Sequence, residues 1–188
     1  MKAIIVTDYG GNPANWKEFL KLKNKYKLIL INDNCHALGS SIKKLKSYAI
    51  KYADVVVQSF HAVKNITSAE GGALITNNRS FFEKFVTARE HGFKKKFNDP
   101  WSYDLEHIGY NARLSELNCA LGVSQMKKLE YFVKERNRMA RYYNKKFSNY
   151  PFLKTPKVNK DNYCSYHLYP LRFDWSKIGL SKEKFFNV

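Results

Sequence analysis

The chain of 188 residues carries 33 Lys and Arg against 16 Asp and Glu, a formal charge of +17, and is 44% hydrophobic and 15% aromatic. That apolar content excludes a disordered chain, the length allows one domain and part of another, and no apolar run approaches the roughly 20 residues of a membrane span. The charge favours polyanions or an anionic ligand, yet most lysines are scattered as on solvated helix faces and only Lys94-Lys95-Lys96 forms a tight run.

Lys2 to Thr7 reads as a short buried strand, followed by a turn at Gly10-Gly11-Asn12-Pro13. Asn15 is placed to cap a helix running to about Tyr26, with Trp16, Phe19, Leu20 and Leu22 on its apolar side. Leu28 to Ile31 is a second strand, apolar on both faces. A helix between two such strands predicts a βαβ unit in a parallel sheet covered on both sides. Further strands are expected at Asp54–Phe60 and Ala73–Thr76, then an amphipathic helix from Ser80 to about His91 bearing Phe81, Phe82, Phe85 and Val86. A polar loop through Asn98-Asp99-Pro100 should lead to a long helical region from Leu114 to about Phe147. Its Leu117, Leu121, Met126, Leu129, Phe132 and Met139 are spaced for burial. After Pro151 and Pro156, Tyr163 to Phe173 has strand character, and a last helix runs from Gly179 to Val188 with Ser181 as N-cap. The three cysteines, Cys35, Cys119 and Cys164, have no metal-ligand spacing and read as reduced and mostly buried, which suits the cytoplasm. No metal site is expected, because the five histidines include no close helical pair.

Open parallel sheets bind ligands at the carboxyl ends of their strands. Asn32-Asp33-Asn34-Cys35-His36 follows the second strand, and Ser59-Phe60-His61-Ala62-Val63-Lys64 ends the third. A carboxylate and a lysine from neighbouring strand ends suit pyridoxal phosphate chemistry. The amine bonds to an aldehyde carbon, and the carboxylate keeps a pyridine nitrogen protonated. Taken singly, each group has a plainer reading: Asp33 as a turn or helix cap, Lys64 as a solvated loop residue, His36 as a half-buried histidine.

In order, the motifs resemble the DegT/DnrJ/EryC1/StrS sugar aminotransferases. Ser59-Phe60-His61-Ala62-Val63-Lys64-Asn65-Ile66-Thr67-Ser68-Ala69-Glu70-Gly71-Gly72 is similar to that family's cofactor-lysine segment. Asp33-Asn34-Cys35-His36-Ala37-Leu38-Gly39 is similar to its aspartate motif, and Gly109-Tyr110-Asn111-Ala112-Arg113 to its asparagine–arginine motif. The resemblance implies an α/β fold: part of a fold type I, pyridoxal-phosphate-binding large domain over residues 1–112. A connecting helical region would follow over 113–150, and the start of a small C-terminal domain over 151–188. It implies that Lys64 bonds covalently to the cofactor and shuttles a proton, that Asp33 pairs with the pyridine nitrogen, and that His36 lies near the 3-oxygen. Ser59 would bond the phosphate, and Asn111 would reach the phosphate held by a neighbouring subunit of a dimer. Gly71 and Gly72 read either as part of that motif or as a turn where no side chain fits, and Glu70 as an ion-pair partner.

Pro100-Trp101-Ser102-Tyr103 and Tyr166-His167-Leu168-Tyr169-Pro170 point to a subgroup that aminates the C4-keto carbon of a UDP-linked sugar on the pseudaminic acid pathway. Glutamate is the implied amino donor. Asn32 stands where the family commonly has an acidic residue, and Ala62 where the subgroup has proline. The resemblance also implies a chain truncated at both ends, inactive alone and completed by a full-length or complementary partner. Two other readings are a non-catalytic relic or dimerisation module of the same family, and a basic nucleic-acid-binding domain using Lys94-Lys95-Lys96 with Phe93 and Phe97.

Overall fold

The computed structural model describes residues 2–96 and 99–187. Strand β1 (Ala3–Thr7) leads through a 3-10 turn (Tyr9–Gly11) into helix α1 (Trp16–Tyr26) and back to β2 (Ile29–Asp33). The two strands pair in parallel, Ala3 opposite Ile29 through Thr7 opposite Asp33, which is the expected βαβ unit. Asn15 occupies the N-cap of α1 without a side-chain capping bond.

Between β2 and the next long strand lie two elements that periodicity did not reveal, a two-residue strand β3 (Ser41–Ile42) and the short helix α2 (Tyr48–Tyr52). Strand β4 (Val55–Ser59) joins β2 in parallel, and β5 (Gly72–Ile75) joins β4 in the opposite direction. The central sheet therefore runs β1-β2-β4-β5, with one antiparallel edge on an otherwise parallel sheet. No crossover helix separates β4 from β5, so the connecting loop turns the chain straight back.

Strand alternation gives the sheet two different faces. Val6, Leu30 and Val56 point to one face, where Trp16 of α1, Tyr48 of α2 and Ala53 complete the core. On the other face Ile5 is 69% exposed and Ile31 and Val57 are half-buried, so the covering expected on both sides is complete on one only. Phe85 and Val86 of α3 (Arg79–Arg89) line an open groove of about 990 Å³ with Val57 and Leu74 on that second face. Asn78 caps α3 by accepting from the Phe81 amide, but the helix buries no residue fully.

A hairpin of β6 (Phe93–Lys96) and β7 (Asp99–Leu105) stands where a polar loop was expected. Asn98 and Phe97 lie outside the described residues. The long helical region is two helices, α4 (Glu116–Met126) and α5 (Leu129–Phe147), meeting at Lys127 and Lys128. The burial expected along it fails in large part. Leu117 is 84% exposed, Leu121, Met126 and Met139 are exposed as well, and the buried residues of α5 are Val133 and Ala140. Apolar spacing identifies a face that can be covered, not whether a covering element is present.

The C-terminal part contains β8 (Leu153–Lys154), β9 (Asn162–Tyr163), β10 (Arg172–Phe173), α6 (Trp175–Ile178) and α7 (Lys182–Phe186). β9 pairs with β3, and β10 with β8, so the extended character expected over Tyr163–Phe173 is confined to its two ends. Ser181 caps α7 as expected, accepting from the Lys184 amide. Val188 lies outside the described residues.

The contrast between core and uncovered face is measurable. Leu30→Ala should cost about 2–5 kcal/mol, because Leu30 is fully buried and its neighbours cannot close the cavity. Leu117→Ala should change stability by less than about 0.5 kcal/mol. Urea unfolding of both variants checks this, and equal losses would refute the burial pattern.

Candidate functional site

The carboxyl ends of β1, β2 and β4 converge, and their following loops hold most of the polar side chains singled out in the sequence. Asp33, the last residue of β2, is half-buried. Its Oδ2 accepts from Thr7 Oγ1 at 3.3 Å and its Oδ1 from the Cys35 amide at 3.2 Å. Burial pushes its carboxyl up, but bonds from Cys35 and Thr7 and the field of His36 outweigh that and hold it below the usual range. Asp33 is thus a half-buried carboxylate kept ionised. Cys35 is the reverse case. Burial and the adjacent Asp33 push its thiol up to about 11, which makes it a proton donor rather than a nucleophile.

Lys64 belongs to the loop between β4 and β5. That loop is pinned at both ends: Phe60 N–H donates to Gly71 O, and Ser68 N–H to Phe60 O. Asn65, buried beside Lys64, donates from Nδ2 to Leu38 O at 2.8 Å and so ties the lysine loop to the loop after Asp33. Asn118 of α4 donates to Ser68 O at 2.6 Å from the other side. The charge of Lys64 bears on Cys35, His36 and His167.

The glycines that close this loop are demanded by the backbone. Gly71 has φ +137°, and a Cβ there would lie 2.8 Å from Leu114 Cδ1, while one on Gly72 would lie 2.6 Å from Gln58 O. The turn reading of Gly71-Gly72 accounts for both. Glu70 is exposed, with Oε1 3.6 Å from His61 Nε2, an ion pair whenever that histidine is protonated.

His36 is oriented from three directions. Its Nδ1 accepts from the Gly10 amide at 3.3 Å, which leaves the proton of the neutral ring on Nε2. The Tyr9 ring meets it edge-on at 5.7 Å, and the His167 ring lies 4.5 Å away. His167 arrives from the C-terminal part on a segment stitched over the Gly10-Gly11 turn. Ser165 N–H donates to Gly11 O, Leu168 N–H to Gly10 O, and Ser165 Oγ to His36 O. Gly11 has φ +93°, and a Cβ there would sit 2.4 Å from Ser165 Oγ, so any side chain would push that segment away. Arg136 of α5 donates to Tyr166 O and His167 O, and Asn137 to Cys164 O.

Of the five predicted residues, the structure gathers Asp33, His36 and Lys64. Ser59 lies at the end of β4 on the same face as Asp33, its Oγ accepting from the His61 amide at 3.4 Å. Asn111 is exposed and bridges the backbone of Glu90 beyond α3, with no described hydrogen bond to the other four. Its neighbour Arg113 pairs with Glu90 at 2.9 Å. Among the described residues no group of three His, Cys, Asp or Glu side chains is arranged to hold a metal ion, and no helix is long and apolar enough to cross a membrane. All three cysteines are free; Cys164 is buried and Cys35 half-buried, but Cys119 is exposed, against the expectation that most would be buried.

The arrangement and motif order agree with one family profile, that of the DegT/DnrJ/EryC1/StrS aminotransferase family, which matches residues 1–187. The chain belongs to this family. It is 41% identical over 169 residues to the UDP-4-amino-4,6-dideoxy-N-acetyl-beta-L-altrosamine transaminase of Campylobacter jejuni, covering 90% of this chain and 44% of that protein. The fold superposes on Helicobacter pylori PseC, an aminotransferase involved in the biosynthesis of pseudoaminic acid, with a TM-score of 0.85. The two are 35% identical over 98% of this chain and 48% of that one. It also matches the PLP-form of Spr1654 from Streptococcus pneumoniae, a proposed sugar aminotransferase, with a TM-score of 0.80 at 22% identity, covering 96% of this chain and 53% of that one. The chain spans about half the length of the curated relatives it matches. Its α/β architecture is accordingly part of the fold of pyridoxal-phosphate-dependent aminotransferases.

Two features of the site carried no separate signal in the sequence. His167 stands in a motif with no assigned role, and Asp8 follows the first strand without any motif of its own. A carboxylate at the carboxyl end of a strand, as Asp33 also is, was the available hint.

Burial, then the charge of Lys64, holds His36 below the ordinary histidine value, against the pull of Asp33. Burial, His36, Lys64 and Arg136 push His167 down to about 4. Between that value and 6.5 the unfolded chain binds protons that the folded chain refuses, so stability falls as pH falls across the window. Asp8, whose carboxyl burial raises, contributes with the opposite sign, so the comparison must be internal. The melting temperature of the native chain should drop between about pH 7 and pH 5 more than that of His167→Gln. Parallel pH profiles of the two would contradict this account.

Proposed function

We propose that this chain carries the cofactor-binding half of a sugar aminotransferase site, with pyridoxal phosphate bonded to Lys64. The observation that carries the reading is the presence of an ionised Asp33 and a loop-pinned Lys64 at adjacent strand ends, with His36 under the charge of both. The donor set fits the group. A carboxylate held below its usual range suits a protonated pyridine nitrogen, and a lysine on a loop pinned at both ends offers an amine to an aldehyde carbon. Bound pyridoxal phosphate supplies an aldehyde carbon that takes up the amino group and a ring that draws electrons from the substrate carbon. The chain's own residues do the rest. Lys64 moves the proton at the substrate carbon, Asp33 holds the proton on the ring nitrogen, His36 Nε2 donates towards the ring oxygen, and Ser59 Oγ donates to the phosphate.

The substrate class follows from the relatives. The proposed reaction transfers an amino group, with glutamate as donor, to the C4-keto carbon of a UDP-linked deoxy sugar in surface-polysaccharide or pseudaminic acid synthesis in the cytoplasm. The +17 charge suits a nucleotide diphosphate as well as a polynucleotide. For the latter, Lys94 is already paired with Glu106 at 2.8 Å, and Phe93 lies against Tyr103. The division into residues 1–112, 113–150 and 151–188 is kept as the domain scheme of this reading.

A second reading, association with another chain, is favoured by one observation. Ile108, Tyr110, Leu117 and Val123 are all more than half exposed around the start of α4, next to Asn111. A dimer partner or a complementary fragment that covered them would also be served by Asn111 in the role the family motif implies.

Incubation with pyridoxal phosphate, borohydride reduction and peptide mapping tests the reading. Label should concentrate on Lys64, vanish from that peptide in Lys64→Ala, and fall about tenfold or more in Asp33→Ala. Label spread evenly over surface lysines would defeat the proposal.

A further inference from the structure

The strongest unassigned feature is the buried carboxylate of Asp8, just past β1. It is fully buried and accepts from five groups. The Ala14 amide (2.7 Å) and Trp16 Nε1 (2.9 Å) donate to Oδ1; Tyr48 Oη (2.7 Å), Asn34 Nδ2 (2.9 Å) and Asn32 Nδ2 (3.1 Å) donate to Oδ2. Asn34 Oδ1 in turn accepts from Gln58 Nε2 at 2.6 Å. Four members are next to residues at the open strand ends: Asp8 follows Thr7, Asn32 and Asn34 flank Asp33, and Gln58 precedes Ser59. Strand alternation sends the two sets to opposite faces at the same three strand ends. The buried set lies beneath, and Thr7, Asp33 and Ser59 lie above.

We infer that Asp8 is the positioning residue for Asp33, acting through Asn32 and Asn34. With both flanking side chains bonded to one buried carboxylate, the backbone at Asp33 can neither rotate nor slide, and its Oδ1 and Oδ2 keep their bonds to Cys35 and Thr7. The same carboxylate, through Asn34 and Gln58, fixes β2 against β4 and so sets the spacing of Asp33 and Ser59. Asp8 reaches neither cofactor nor substrate. It decides where the ring-nitrogen carboxylate stands. This inference rests on the reading of Asp33 and Lys64 above.

The test uses the full chain, isotope-labelled pyridoxal phosphate, and the variants Asp8→Asn, Tyr48→Phe and Asp33→Asn. Three quantities are read: the cofactor concentration for half-maximal borohydride capture at Lys64, the NMR signal of the ring nitrogen, and the melting curve. Asp8→Asn turns an amide N–H towards other donors. It should raise the half-capture concentration about tenfold, as loss of an orienting partner behind a ligand commonly does, and move the ring-nitrogen signal towards the unprotonated form. Tyr48→Phe deletes one of the five donors and should act in the same direction by about threefold. If Asp8→Asn does not fold, Tyr48→Phe decides by the same criteria. Capture that falls only in proportion to the folded fraction, with an unchanged nitrogen signal, would show a purely structural role and overturn the inference. So would native behaviour of both variants where Asp33→Asn is impaired. Native chain without selective Lys64 label overturns the cofactor reading itself, and this inference with it.

Discussion

A carboxylate removed from water costs several kcal/mol unless donors replace the solvent, and Asp8 is enclosed by five. Burial nonetheless outweighs these bonds and pushes the carboxyl above its usual range. Its effect is on geometry. The donors come from the turn after β1, from α1, from both sides of Asp33 and from α2, and Asn34 also donates to Tyr48 Oη at 2.9 Å. Trp16 and Tyr48, the two largest fully buried side chains, present their rings to Leu30 and Val56 and their polar ends to Asp8. Apolar core and polar hub are therefore one packed unit, and neither aromatic can shift without breaking a bond to the carboxylate. The hub leaves Asn32 Oδ1 and Gln58 Oε1 buried without a protein partner, a cost that an apolar core of the same shape would avoid.

The second tie runs from the far end of the chain. Residues 163–168 lie across the 3-10 turn that carries Gly10 and Gly11, and their bonds to that turn are mostly backbone to backbone. Such bonds set position without depending on side-chain identity, which leaves His167 free to serve the site. Arg136 and Asn137 clamp the same segment from α5, so a long helix with little buried surface still transmits its position to the His36 ring. The loop after β2 is thereby held on three sides: by Asp8 beneath, by Asn65 from the lysine loop and by Ser165 above.

The sheet was legible in the sequence because its strands are short apolar runs ended by polar residues, and the pairing of β1 with β2 followed from the helix between them. The direction of β5 was not, since a run of four residues after two glycines reads the same whichever way it pairs. Elements of two to five residues, such as β3 and α2, have too few positions to show a period. Of the candidate site, Asp33, His36 and Lys64 were legible because motif order and strand ends agree on them. Asp8 and His167 were not, because their importance lies in contacts 24 to 131 residues away along the chain (Asp8 to Asn32 and His36 to His167, read from their numbers). Nothing local distinguishes a carboxylate that three distant side chains, Asn32, Asn34 and Tyr48, will help to enclose from one that caps a turn.

The exposed apolar surface and the site belong to the same problem. α4 reaches the lysine loop through Asn118, whose Nδ2 bonds Ser68 O, and through Leu114, which packs over Gly71. Leu117, Val123 and Met126 of that helix nonetheless face solvent, as do Ile5 and Ile75 on the two outer strands of the sheet. Burying such side chains is worth roughly 1.5–3 kcal/mol each, so a protein segment laid over them would stabilise α4 and, through Asn118, the loop that carries Lys64. Covering that surface and ordering the lysine are in this way coupled. A partner that contributed no chemistry would still tighten the site, because the helix it covers is the helix that holds the loop.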